Sequence, residues 1–269
     1  ENKSIQQPNI LFALGDDWSW PHASIAYEMS IPGSDNVIKT PNFDRIARGG
    51  VLFKNAFCSA PSCGPSRSAI LTGRNMWQLE TGANLRGVFP NKFGVYTDAL
   101  EEAGYHVGHI DKGCTPMKFV DGRTDPAGQK YKDFEEFMDK RTDGKPFCFW
   151  FGSHDAHRAY KKDSGVESGM NPKDIAVPAC LPDDEVVRKD MCDYYFEVQR
   201  FDHRLGKMLA LIEERGELEN TLVVIVRVDK LRFRPTRIPR GAQLQIMTTP
   251  RIRSKFVNFE QYVVNHNGS

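Results

Sequence analysis

Three short, nearly continuous runs of apolar residues constrain the fold of this chain more than any other feature. They are residues 9–14 (NILFAL), 147–151 (FCFWF) and 222–226 (LVVIV). Runs of this length are typical of strands that are buried on both faces, as in a parallel sheet. Helical patterns separate the runs. Strands that alternate with helices indicate an α/β domain whose mostly parallel sheet is flanked by helices.

Start and stop signals locate the helices between these strands. Thr40 is a candidate N-cap, and Pro41 follows it at the first helical position, where proline is favoured. We predict helices at residues 41–48, 65–72, 97–103 and 182–215, and extended segments at residues 51–57 and 105–110. Residues 116–144 are polar and predict a loop that covers or borders a site.

The charge distribution divides the chain into two parts. The whole sequence has 269 residues, 36 Lys+Arg and 35 Asp+Glu, a net charge of +1 that argues against a chain built mainly to bind nucleic acid. Residues 1–226 hold 27 basic and 33 acidic residues, whereas residues 227–269 hold 9 and 2. This reversal predicts a folded domain at residues 1–226 followed by a basic tail at residues 227–269.

The sequence lacks signals for a membrane span or a cysteine-based metal site. No apolar run is long enough to cross a bilayer, and residues 1–7 are polar, unlike a signal peptide. The six cysteines form no CxxC pair, which argues against a zinc ribbon or a thioredoxin-type site. Their even number permits disulfides without requiring them.

Polar residues follow two of the predicted strands. Asp16 and Asp17 come after the first apolar run, and His154 comes shortly after the second. Ligands of parallel sheets bind beyond the carboxyl ends of the strands, so these residues are plausible neighbours. Adjacent carboxylates suit a hard cation such as calcium. An acidic turn and an ordinary polar histidine are the alternatives that local sequence leaves open.

The segment from Cys63 to Arg67 (CGPSR) is the sharpest local signal. A cysteine that precedes a helix opened by proline lies where the helix N-terminus lowers a thiol pKa or binds an oxyanion. Arg67 follows one turn later and can reach back toward position 63. A structural cysteine beside a helix cap fits the same local pattern.

Four segments together resemble the formylglycine-dependent sulfatases of the alkaline phosphatase superfamily. Residues 63–74 (CGPSRSAILTGR) match the family's C-x-P-S-R signature followed by T-G-R, and the other matches are residues 8–18 (PNILFALGDDW), 105–112 (YHVGHIDK) and 153–158 (SHDAHR). The last segment is similar to the H-D-P-H-R of the heparan N-sulfatase (sulfamidase) branch. The resemblance covers about residues 8–226 and implies an alkaline-phosphatase-like fold.

The resemblance also implies roles for individual residues. Cys63 would be converted to formylglycine by a formylglycine-generating enzyme, and the aldehyde hydrate would attack the sulfur of a sulfate group. Asp16 and Asp17 would bind calcium. Lys112 would neutralise sulfate, and His154 would contact the sulfate or the leaving group.

Further residues complete the predicted site. Arg67 belongs to the signature, and His157 would either support a residue that binds the sulfate or lie on the substrate side of the site. Asp202 in FDHRLG resembles a family position on the long helix, which we interpret as structural.

Several positions depart from the family pattern. Asp111 stands where the pattern has glycine, and Cys114 stands where many members have a histidine that helps to bind the hydrate. The family's Asp-Asn-Gly, which completes the calcium shell, falls on Val228, Asp229 and Lys230. The family's C-terminal subdomain is not recognisable in this sequence. A truncated or frameshifted gene and a divergent tail explain this equally well.

The predicted function is hydrolysis of sulfate esters or N-sulfate groups on a sulfated sugar or glycosaminoglycan, with calcium and formylglycine as cofactors. A phosphoester or phosphonate hydrolase of the same superfamily is one alternative. An inactive truncated sulfatase that binds sulfated glycans is another. The resemblance implies a periplasmic or secreted protein whose signal peptide has been removed.

Overall fold

A computed structural model describes residues 7–53, 56, 58–142, 144–228 and 244–246. Within them, one sheet has the strand order β3-β2-β4-β1-β5-β6, and only the β5–β6 pair is antiparallel. The strands are β1 (Asn9–Asp16), β2 (His106–Asp111), β3 (Gln129–Lys130), β4 (Phe147–Gly152), β5 (Thr221–Val228) and β6 (Leu244–Ile246). The prediction of an α/β domain with a mostly parallel sheet is confirmed.

Helices occupy the connections between the strands. They are α1 (Ser24–Glu28), α2 (Pro41–Gly49), α3 (Cys63–Thr72), α4 (Tyr96–Glu102), α5 (Phe134–Asp139), α6 (Ser164–Glu167) and α7 (Glu185–Glu214). Short 3-10 turns lie at Met76–Gln78, Glu80–Ala83, Pro172–Asp174 and Leu218–Asn220. Each of the four predicted helices is present. The helix predicted at residues 65–72 begins two residues earlier and ends at Gly73, whose φ of 64° favours glycine.

The centre of the sheet is buried on both faces, as the apolar runs predict. Leu11 of β1 and Phe149 of β4 are paired in register and belong to one hydrophobic cluster. Phe12 and Trp150 form the next pair, stack with ring centroids 4.6 Å apart and belong to the cluster on the other face. Successive residues of a strand point to opposite faces, so a continuous apolar run fills both.

Two extended or loop predictions are wrong. Residues 51–53 and 56 form no strand, and the remainder of the predicted strand at residues 51–57 includes positions outside the described residues. Residues 116–144 contain β3 and α5 as well as loop. Phe134 and Phe137 of α5 pack on Phe149, with ring centroids 4.7 and 4.5 Å away. The segment is polar on average, so the short apolar face of α5 was not recognised from its composition.

The N-terminus of α2 is capped by a residue that is distant in sequence. The side chain of the predicted N-cap, Thr40, makes no capping hydrogen bond. The carboxylate of Asp202 on α7 instead accepts hydrogen bonds from the backbone amides of Asn42 (3.2 Å) and Phe43 (2.7 Å). Burial raises the pKa of Asp202, and these hydrogen bonds oppose that rise. The interpretation of Asp202 as structural agrees with this capping contact.

The predicted division at residues 226 and 227 falls inside β5, which continues to Val228. Leu244–Ile246 then pairs antiparallel with β5, so three residues of the predicted tail extend the sheet. The division into a domain and a tail remains a prediction. Within the described ranges, no helix combines the length and apolar character needed to cross a membrane.

Candidate functional site

The carboxyl ends of three neighbouring strands bring the predicted site residues together. Asp16 ends β1, Lys112 follows β2, and His154 follows β4 two residues after Gly152. The ammonium group of Lys112 donates to Asp16 Oδ2 at 2.5 Å, and its backbone amide donates to the carbonyl of Gly152 at 2.8 Å. The parallel sheet therefore joins residues that lie far apart in sequence.

Helix α3 carries the signature residues, and one of them contacts the turn after β2. Cys63 is its first residue and is only 4% exposed. The guanidinium of Arg67 is fully buried and donates from Nη1 to the carbonyls of Lys112 (2.7 Å) and Gly113 (3.0 Å). Burial lowers the pKa of Arg67, while the charges of Asp16 and Cys63 act in the opposite direction. Arg67 therefore fixes the turn that presents Lys112, rather than reaching only toward position 63.

Gly152 is required by this close approach. A Cβ atom at position 152 would lie 1.6 Å from the carbonyl oxygen of Lys112 and 2.7 Å from Arg67 Nη1. The first of these atoms belongs to the backbone, so a larger residue must displace the turn after β2. The end of β4 and the turn after β2 thus pack closely only because position 152 has no side chain.

We expect Gly152→Ala to lower the free energy of unfolding by about 3 kcal/mol or more, because the clash is with buried backbone. Denaturant unfolding measures the change. Gly94→Ala is the matched control, because a Cβ atom there meets nothing within 4 Å. It should stay within about 0.5 kcal/mol of the parent protein. Equal stability of the two variants would contradict the close packing at position 152.

Two histidines follow β4, and His154 is exposed whereas His157 is half-buried. His154 is exposed, yet its pKa is lowered, first by partial desolvation and then by the positive charges of Lys112 and Arg67. His157 Nε2 lies 3.8 Å from Asp17 Oδ2. His154 thus lies within electrostatic range of Lys112 and Arg67, and His157 lies beside Asp17, a predicted metal ligand.

The described residues do not complete a calcium site. Asp16 and Asp17 are the acidic residues at the end of β1, and Asp16 already pairs with the ammonium of Lys112. In the part of the chain that the structure describes, no group of three or more His, Cys, Asp or Glu side chains could hold a metal ion. Val228 stands in register beside Asp16 on the neighbouring strand, and valine carries no side-chain oxygen. The predicted positions Asp229 and Lys230 lie outside the described residues.

The structure describes the contacts of Asp111 and Cys114, two other positions that depart from the family pattern. Asp111 accepts a hydrogen bond from Arg204 of α7 at 2.6 Å. Cys114 is fully buried, 3.5 Å from Ser68 Oγ, and burial raises the pKa of its thiol to about 12. A thiol with that pKa stays protonated at neutral pH. It therefore cannot take the role of an ionisable histidine at this position.

Sequence reasoning did not single out Asp155. Its carbonyl accepts a hydrogen bond from the amide of Asp16 (2.9 Å), and the amide of Ala156 donates to the carbonyl of Asp16 (2.7 Å). These two bonds tie the end of β1 to the segment after β4. The signal available in the sequence was the position of Asp155 directly after His154, at a predicted strand end.

Comparison with known proteins identifies the family. The sequence profile of the Sulfatase family matches residues 8–226. The chain belongs to the Sulfatase family. Human N-sulphoglucosamine sulphohydrolase is 28% identical to this chain over 264 residues, which cover 84% of the chain and 51% of the relative. Canine N-acetylgalactosamine-6-sulfatase is 35% identical over 266 residues, which cover 81% and 49%. The chain therefore spans about half the length of these curated relatives.

Solved structures show the same fold. Ps i-CgsB has a TM-score of 0.65 at 20% identity, and the match covers 91% of this chain and 66% of that chain. A structure in complex with its substrate D-glucosamine-2-N,6-O-disulfate has a TM-score of 0.62 at 18% identity and covers 91% and 72%. The phosphonate monoester hydrolase of Agrobacterium radiobacter has a TM-score of 0.58 at 14% identity and covers 89% and 67%. These likenesses confirm the predicted sulfatase-like fold.

Proposed function

We propose that this chain hydrolyses sulfate esters or N-sulfate groups on a sulfated sugar. The observation that supports this most directly is the position of Cys63 at the N-terminus of α3, with Arg67 bound to the turn that carries Lys112. The N-terminus of a helix favours an anion, because its amide groups and dipole point toward it. The names of the curated relatives, which act on sulfated amino sugars, support the same substrate class.

Formylglycine formed from Cys63 would supply the hydroxyl nucleophile of this reaction. The residues around it would bind and orient the sulfate group. Lys112 offers a positive charge, and the carbonyl contacts of Arg67 hold its turn in place. Positive groups that are already in position stabilise charge as it develops in the transition state. In this proposal His154 would give a proton to the leaving oxygen or nitrogen.

We assign no step to calcium, because the donor set of the described residues is incomplete. In this arrangement Lys112 has two anionic partners, the carboxylate of Asp16 and the incoming sulfate. Its contact with Asp16 keeps the ammonium at the strand edge. A sulfate bound at the α3 N-terminus would use Lys112 as its positive partner and His154 as the proposed proton donor.

Comparing the rates of sulfate and phosphate release tests this proposal. The chain is produced with a formylglycine-generating enzyme, and release of inorganic sulfate from sulfated glucosamine is compared with release of phosphate from a matched phosphoester. We expect sulfate release to be faster. Faster phosphate release would favour the phosphoester or phosphonate hydrolase. Saturable binding of the sulfated sugar without release of either product would favour an inactive glycan-binding chain.

The pH dependence tests the role of His154. A proton donor must be protonated, and the pKa of His154 lies below its ordinary value of 6.5. We therefore expect kcat/KM to fall as pH rises through a value below 6.5, since this parameter reports ionisations of the free enzyme. His154→Gln should remove this fall of kcat/KM with rising pH. His203→Gln, at an exposed position on α7, should leave it unchanged. If the fall of kcat/KM persists in His154→Gln, it reports the ionisation of another group.

The proposed maturation and location follow from the family. Conversion of Cys63 requires a formylglycine-generating enzyme as a transient partner. We propose a periplasmic or secreted protein, and fractionation of the full-length gene product tests this. Recovery of the protein in the cytoplasmic fraction would contradict it.

A further inference from the structure

We propose that Arg204 of α7 is a positioning residue that neutralises Asp111 and thereby keeps the adjacent Lys112 effective toward sulfate. This inference rests on the proposed function. Arg204 lies on the long helix α7, and the sequence signals for catalysis do not include it. Its guanidinium nevertheless contacts the segments that carry two predicted site residues.

The contacts of Arg204 define its position closely. Nη2 donates to Asp111 Oδ2 at 2.6 Å, and Nη1 forms a longer ion pair with Asp155 Oδ2 at 3.7 Å. The centre of the guanidinium lies 4.7 Å from the centroid of the Phe151 ring, a cation–π contact that restricts its orientation. Arg204 therefore bridges the residue before Lys112 and the residue after His154.

Asp111 creates the need for such a partner. It directly precedes Lys112, and its φ of 58° lies in the left-handed region that favours glycine. Its carboxylate is close enough to His154 to act on that imidazole electrostatically. An uncompensated negative charge here would repel sulfate and reduce the effect of Lys112. Arg204 supplies the one ion pair that Asp111 makes within the described ranges.

Loss of Arg204 would affect the charge pairing of Asp155 less than that of Asp111. Arg200, one turn earlier on α7, lies 3.1 Å from Asp155 Oδ1 and provides a second cation. Removing Arg204 therefore leaves Asp155 with a charged partner but takes the partner of Asp111 away. We therefore expect loss of Arg204 to lower activity mainly because the charge of Asp111 is left uncompensated. With a neutral residue at position 111, activity should no longer depend on Arg204.

A double-mutant cycle tests this dependence. Arg204→Met retains much of the aliphatic side chain and removes the charge, and Asp111→Gly suits the local backbone. We expect Arg204→Met to lower kcat/KM for the sulfated sugar about tenfold or more and to weaken inhibition by free sulfate. Asp111→Gly should restore most of both losses in the double variant, and Arg204→Lys should retain part of the activity. If the double variant is as impaired as Arg204→Met, the proposal is overturned.

Hydrogen exchange provides a test that does not require turnover. Arg204→Met should accelerate amide exchange in residues 111–115, while Arg204→Lys should show a smaller change. Arg45→Met is the matched control, because Arg45 pairs with Glu213 of α7 at 2.9 Å on the exposed surface. It should leave residues 111–115 unchanged.

The two measurements separate failure of this inference from failure of the proposed function. If the parent protein with confirmed formylglycine releases no sulfate, the proposed function fails. Faster exchange in Arg204→Met, together with weaker binding of free sulfate that Asp111→Gly restores, would still support the positioning role. Unchanged exchange at residues 111–115 in Arg204→Met would overturn the positioning role whatever the activity.

Discussion

Replacing Cys63 with alanine is expected to abolish sulfate release, with a loss of about 10⁴-fold or more. Alanine cannot be converted to formylglycine, so the proposed nucleophile is absent rather than weakened, and removal of a nucleophile gives losses of this order. Cys63 is 4% exposed at the first position of α3. A smaller side chain at a helix N-terminus should preserve the fold, which the unfolding midpoint of the variant checks.

Cys58→Ala is the matched control for this substitution. Cys58 is partly buried five residues upstream, but it lacks the proline and arginine of the signature and donates to the carbonyl of Ala60 at 2.9 Å. Its replacement should leave activity near that of the parent protein. Equal loss in both variants would show that the defect does not come from the nucleophile position.

Mass spectrometry checks the modification on which the first prediction depends. Trypsin releases residues 55–67 as one peptide that contains both Cys58 and Cys63. After alkylation, the converted peptide should carry one alkyl group and one aldehyde, and fragment ions should place the aldehyde at position 63. Two alkylated cysteines in protein made with an active maturation enzyme would contradict formylglycine formation at Cys63.

Restoring the family's Asp-Asn-Gly at residues 228–230 is expected to raise calcium affinity about 100-fold or more. Val228 stands in register with Asp16, and adjacent strands lie about 4.8 Å apart, so a carboxylate there adds an oxygen donor close to Asp16. Calcium takes six to eight oxygen ligands, and its affinity depends on how many of them are charged. The parent chain should bind the ion weakly and turn over slowly.

Isothermal titration with calcium measures this effect. The test variant combines Val228→Asp, Asp229→Asn and Lys230→Gly, and adding Asp16→Asn to it should remove the gain. Sulfate release by the same variants shows whether activity follows affinity. Micromolar or tighter binding by the parent chain, with rapid sulfate release, would mean that its tail completes the site in another way.

The fold could be predicted largely because its signals are local. Runs such as residues 147–151 are apolar at every position, which predicts a strand buried on both faces. Together with the helical patterns between the runs, this predicts a mostly parallel sheet. Thr40 shows the limit of this reasoning. It has the residue type of an N-cap, but the amides at the start of α2 are bound by Asp202, which is 160 residues away in the sequence. A carboxylate from a packed neighbour replaced the local cap.

The same contrast between local sequence signals and long-range contacts applies to the candidate site. The sequence by itself identified the candidate residues: a cysteine in the C-x-P-S-R signature, paired aspartates at a strand end, and a histidine after an aromatic strand. Their grouping depended on the parallel order of β2, β4 and β1, which places the ends of distant segments at one edge.

Only the tertiary structure decided how the charges near that edge are paired. Lys112 lies against Asp16, Arg67 holds the carbonyls of the turn that carries Lys112, and Arg204 neutralises Asp111. Local sequence patterns record the residue types but not these partners, because each contact joins segments more than 40 residues apart. The pairing of a charge is a property of three-dimensional packing, and it determines how much of that charge remains available to a bound anion.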